Sequence, residues 1–147
     1  MAITRAQVDL ILIRRCGAML AAADLDGTTV DGSNYDLADP VASALRNLGF
    51  AVSDPTTVTD SDLGAVDSDT LPALLDLAEL RTLETVLGNL DEVDIRLGQR
   101  DEKFSQLADR LEKRITRLSE KVAREHGLGG GSMQAGAIGL GYQESDE

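Results

Sequence analysis

The chain carries one cysteine, Cys16, and one histidine, His126. A reactive thiolate needs a cationic or imidazole neighbour. His126 lies far along the chain, and Arg14 and Arg15 point to other faces of any helix that holds Cys16. Cys16 therefore reads as a small buried hydrophobe. Carboxylates are plentiful, among them the pairs Asp60 with Asp62 and Asp67 with Asp69. General acid work needs one carboxyl in an apolar pocket, or a coupled pair with separated pKa values. Both pairs instead sit in acidic, polar stretches. The segment DLDGTTVDGSNYD, beginning at Asp24, invites comparison with a calcium loop. Such a loop requires glycine at its sixth position and glutamate at its twelfth. Here those positions hold Thr29 and Tyr35, so the match fails and an ordinary solvated loop is expected. The run GLGGGS after His126 has no lysine and no preceding strand, and lacks the phosphate-cradling arrangement. No catalytic, cofactor-binding or metal-ligating residue is assigned, and the expectation is a structural or interaction protein rather than an enzyme.

Composition narrows the architecture. Aromatic residues make up only 3% of 147 residues, so the core must be built from Leu, Ile, Val and Ala, which suits packed helices. A single cysteine excludes an internal disulfide and points away from a disulfide-stapled secreted design. No run is long and apolar enough for a membrane helix, because Asp9, Arg14 and Arg15 interrupt the stretch from Val8 to Ala23. Arg5 with that run faintly imitates a secretion signal, but the internal charges and the helix cap before it argue for a cytoplasm-like setting. The net charge of -12 excludes coating of a nucleic-acid backbone. Charge is also uneven. Twelve acids and one base, Arg46, lie between Cys16 and Leu80, whereas seven bases and six acids lie between Asp101 and His126. An acidic body is joined to a nearly neutral helix.

Local signals place the elements. Thr4 and Gln7 form a capping box for a helix over about residues 5–23, with Val8, Ile11, Leu12, Arg15 and Met19 in one row. Arg15 is the charged member of that row, and its stem can cover apolar neighbours. Asp39 followed by Pro40 predicts the start of a second helix, which Gly49 ends. Thr59 and Asp62 predict a short helical turn carrying Leu63 and Val66. A longer helix begins near Asp69 or Thr70, with Pro72 tolerated in its first turn. Its leucines spread round most of the circumference, which predicts a central position. Gly88 and Asn89 are expected to stop it. Val93, Ile95 and Leu97 alternate with Asp94 and Arg96, which predicts a short extended segment near 93–97, as a strand or as an irregular docked loop.

The last helix spans about 101–126. Phe104, Leu107, Leu111, Ile115, Leu118 and Val122 recur with an eleven-residue repeat, giving a narrow stripe on a nearly straight helix. That stripe fits a partner surface or the chain's own domain. Opposite charges four apart occur at Asp109–Lys113, Glu120–Arg124 and Lys121–Glu125. Beyond Gly127 the chain is rich in glycine yet holds Met133, Ile138, Leu140 and Tyr142, which an inert linker lacks. Residues 127–147 read as a C-terminal arm, either docking or disordered. The whole is an all-α expectation: a small helical bundle as an acidic helical body over 1–100, a long C-terminal amphipathic helix over 101–126, and the extended glycine-rich arm. The candidate partner interface comprises the stripe residues and those four anchors.

Two segments, ITRAQVDLILIRRCGAMLAAADLDGTTVDGSNYDLADPVASALRNLGF and TDSDLGAVDSDTLPALLDLAELRTLETVLGNLDEVDIRLGQR, resemble the head-to-tail connector proteins (adaptor or head-completion proteins) of tailed bacteriophages. The similarity covers about residues 2–126. It implies a homo-oligomeric ring, commonly twelve-fold, in the virion neck between capsid and tail. Such a ring binds the portal protein and the next neck or tail component. DNA passes through without sequence-specific binding, and no cofactor or membrane is involved. The C-terminal helix or arm would clasp the portal, here Phe104–Val122 and the residues after Gly127. The glycine-rich arm departs from the family pattern. The subunit would be made in the host cytoplasm.

The acidic surplus supports a different class as well: an acidic helical regulatory protein, of antitoxin or DNA-mimic anti-restriction type, occupying a basic protein partner. A connector joins large cyclic assemblies. A mimic binds as a monomer or dimer and loses affinity steeply with salt.

Overall fold

The protein is described from a computed structural model covering residues 3–97 and 102–127, with the side chains of 91–97 and 102–105 outside that description. The secondary structure is helical, with no strand among the described residues. Among the described residues five helices follow in order: α1 (Arg5–Ala22), α2 (Tyr35–Asn47), α3 (Asp60–Leu63), α4 (Leu71–Leu97) and α5 (Glu102–His126). The chain divides into two compact units, Met1–Leu111 and Glu112–Glu147.

The caps at α1 and α3 form as their sequences dictate. Thr4 Oγ1 accepts from the Gln7 N–H while Gln7 Oε1 accepts from the Thr4 N–H at 2.9 Å. Thr59 and Asp62 repeat the arrangement at α3. Both satisfy donors that the first helical turn leaves without partners.

The start of α2 differs from expectation. The Asp39–Pro40 signal lies inside the helix, and Asn34 is the N-cap. Asn34 Oδ1 accepts from the backbone of Asp36 and Leu37, and its Nδ2 donates to the carbonyls of Asp26 and Thr29, each at 3.1 Å. Four bonds to one fully buried side chain outweigh the single intrahelical bond that Pro40 removes. At the other end, Gly49 adopts φ of +91°, and the Phe50 N–H donates to Leu45 O at 2.9 Å, closing the helix as glycine permits.

Helix α4 packs against both α1 and α2. Every residue from 73 to 79 is buried, which explains leucines on all sides. Leu74 and Leu83 are fully enclosed, each contributing about 1.5–3 kcal/mol by leaving water. Thr82, also buried, donates its hydroxyl to Ala78 O at 2.7 Å and so leaves no polar group unmet in the leucine surface.

The expected extended segment at 93–97 is helix instead: α4 continues through Gly88 and Asn89 to Leu97. A single interior glycine costs only about 1 kcal/mol. The spacing Val86, Leu90, Val93, Leu97 also continues a helical row, which three alternating positions had obscured. Asn89 does not stop the helix. Its Nδ2 donates to Ala23 O at the C-terminus of α1.

Candidate functional site

The N-terminus of α1 is built around Arg5. Its Nε donates to Asp9 Oδ1 at 2.7 Å, its two terminal nitrogens donate to the carbonyls of Val58 and Asn34, and its backbone N–H donates to Asp60. Arg5 and Asp9 are 4% and 0% exposed, so a buried charge pair ties α1 to the loop before α2, to the 48–59 connector and to α3. Burial raises the Asp9 carboxyl above the ordinary aspartate value despite the hydrogen bond and charge of Arg5. Asp9 Oδ2 has no hydrogen-bond partner.

Further along α1, one terminal nitrogen of Arg15 donates to Asp76 at 3.3 Å and to Glu79 at 3.0 Å, both on α4. Arg81 reaches Asp39 at 3.2 Å. Three arginines of the body thus engage its own acids, and the surface left outside is strongly negative. Four aspartates around that surface are held ionised by local donors. The Thr29 hydroxyl with the Thr28 and Thr29 N–H groups lowers Asp26, Ser33 lowers Asp31, Thr56 lowers Asp54, and Thr70 lowers Asp67. Three of these are Asp-x-Ser/Thr turns, in which one carboxylate oxygen accepts from the backbone N–H and the hydroxyl two residues on.

On this acidic body an open apolar groove of about 400 Å³ lies between α1 and the α3–α4 junction. Ile3, Leu10 and Ile11 form one wall, Val66 and Leu71 the other, with Asp67 at the rim. Leu10 and Ile11 are half-buried on one chain alone.

Helix α5 supplies the opposite charge. At about 100° per residue, positions 110, 113, 114, 117, 121 and 124 fall within about 100° of arc. All six are Arg or Lys, and Arg110, Arg117 and Arg124 are exposed. This cationic face runs about 21 Å along the helix, beside the apolar stripe.

Of the stripe, Leu111, Leu118 and Val122 are buried within the single chain, and Leu107 and Ile115 are half-buried. The Phe104 side chain lies outside the described residues, as do Met133, Ile138, Leu140 and Tyr142. The groove and the cationic face were missed by reading the chain in order. The cationic face does have a sequence signal, like charges at i, i+3, i+4 and i+7, which the opposite-charge pairs four apart on the same helix overlie. For the groove no local signal exists, because its walls come from residues some sixty positions apart.

Cys16 is fully buried. Among the described residues no group of three or more His, Cys, Asp or Glu side chains is placed to hold a metal ion, and no helix is long and apolar enough to cross a membrane. No protein-family model, curated protein or solved structure matches the chain.

Proposed function

We propose that this chain is a structural subunit of a phage head-to-tail connector, assembling as a ring that binds the portal and extends the DNA channel toward the tail. The observation that carries this reading is the open groove of Ile3, Leu10, Ile11, Val66 and Leu71. Ile3, Leu10, Ile11 and Leu71 are only half-buried, and a contiguous apolar hollow on an otherwise charged body is a surface suited to another protein. The acidic exterior agrees with a conduit that repels phosphate. The same exterior favours a second reading, an acidic regulatory protein that occupies a basic partner, because Arg5, Arg15 and Arg81 are engaged by the chain's own acids.

Electron microscopy of native particles, at a resolution that traces side chains, tests the first reading. Density for this chain as a ring between portal and tail is the expected result. Particles whose neck lacks the chain, together with a monomer that binds a basic protein and is released by salt, would replace it with the second.

A further inference from the structure

We infer that neighbouring copies in the ring are joined by the cationic face of α5 on one copy lying over the acidic-rimmed apolar groove of the next. This rests on the ring reading above and specifies the contact that forms it. Among the described residues the groove is open, walled by Ile3, Leu10 and Ile11 on one side and Val66 and Leu71 on the other, and Gln7, Asp67 and Ser68 complete its lining, with Asp69 two residues on from Asp67. An apolar floor with an acidic rim selects a helix that offers cations beside aliphatic side chains. Helix α5 has that pattern: Arg110, Arg117 and Arg124 are exposed on one face, with half-buried Leu107 at the edge of that face.

Charge also decides between a second copy in this orientation and the same groove meeting its own image. Two acidic rims face to face repel, so a two-fold dimer through the groove is disfavoured. Groove and helix face are different patches of one chain, so the contact is head-to-tail. Repetition of such a contact closes into a ring when its rotation divides a full turn. Each closure adds a contact without a new loss of freedom, so modest pairs accumulate into a stable assembly.

Native mass spectrometry and sedimentation of the full chain test this, with circular dichroism confirming that every variant is folded. The wild-type chain is expected to form cyclic oligomers at about 0.05 M salt and to dissociate at about 0.5 M. Reversing the helix face (Arg110→Glu, Arg117→Glu, Arg124→Glu) lowers association about tenfold or more. Reversing the rim beside the groove (Ser68→Lys, Asp69→Lys) does the same and leaves the turn at Asp67 intact. An equimolar mixture of the two variants restores assembly, since each supplies the charge the other needs.

Wild-type rings that ignore salt and both reversals overturn this contact while leaving the ring reading in place. A wild-type chain that stays monomeric at every concentration overturns both. Rings unaffected by the helix reversal, with loss of binding to a 30-base-pair duplex, assign the cationic face to nucleic acid and likewise overturn the proposal.

Discussion

Arg5 Nε lies 2.7 Å from Asp9 Oδ1, one helical turn along α1, and both side chains are almost wholly removed from water. The pair sits where three segments meet, because the same guanidinium donates to Val58 O at 3.0 Å and Asn34 O at 2.6 Å. It therefore works as an internal tie rather than as a surface ornament. Removing one partner leaves an uncompensated buried charge.

Asp9→Ala should destabilise the fold by about 3–5 kcal/mol, read from urea unfolding. Arg5→Met should cost at least as much, because two carbonyls also lose their donors. The double variant should be less damaging than the sum of the singles, as expected for groups in direct contact. Strict additivity would show that the pair is not coupled.

Acid should affect stability with two opposite signs. The Asp9 carboxyl is raised above 3.8, so the folded chain holds that proton more tightly than the unfolded one. Its contribution is most favourable below 3.8 and diminishes as pH rises through its folded value. Asp26, Asp31, Asp54 and Asp67 are lowered from 3.8, so their contributions are present above that pH and are lost as pH falls through their folded values. Asp26→Ala should flatten the acid side of the unfolding profile. A slope identical to that of the wild type would remove the assigned role of the Thr28 and Thr29 donors.

Two glycines should respond oppositely to alanine. A Cβ on Gly27 would collide with the carbonyl oxygen of Gly17, where the loop crosses α1. Gly27→Ala should cost about 1–3 kcal/mol. A Cβ on Gly88 meets nothing within 4 Å, and Gly88 lies inside α4. Gly88→Ala should raise stability by about 0.5–1 kcal/mol. Thermal unfolding of both variants checks the pair, and a loss at Gly88 would contradict a continuous helix there.

On α5, neighbouring positions should separate folding from assembly. Leu111 is fully buried, and Leu111→Ala should cost about 2–5 kcal/mol. Arg110, next to it, is exposed, and Arg110→Glu should change stability by no more than about 0.5 kcal/mol. Circular dichroism melts of the two variants distinguish these outcomes. A fully stable Leu111→Ala chain would place that side chain outside the fold.

Much of the architecture follows from signals within one helical turn. The capping boxes at Thr4 and Thr59, the glycine after α2, Pro72 in the first turn of α4 and the stripe of α5 each involve residues no more than a few positions apart. The central place of α4 follows from its leucines by the same logic. Local reading failed where a distant partner decided the outcome. Asn34 displaced the Asp39–Pro40 start because its side chain found carbonyls in the preceding loop. Asn89 continued α4 rather than ending it, with its amide spent on Ala23.

The sequence by itself determined the all-α class seen among the described residues, an acidic body, and the row that put Arg15 among apolar neighbours. Only the tertiary structure decided that Arg15 meets Asp76 and Glu79 on α4, that Arg5 and Asp9 are buried together, and that Ile3, Leu10, Ile11, Val66 and Leu71 share one open groove. The reason is physical. Periodicity and caps act over neighbouring turns, whereas desolvation and charge pairing depend on which surfaces are pressed together, and Arg15 and Glu79 stand 64 positions apart along the chain.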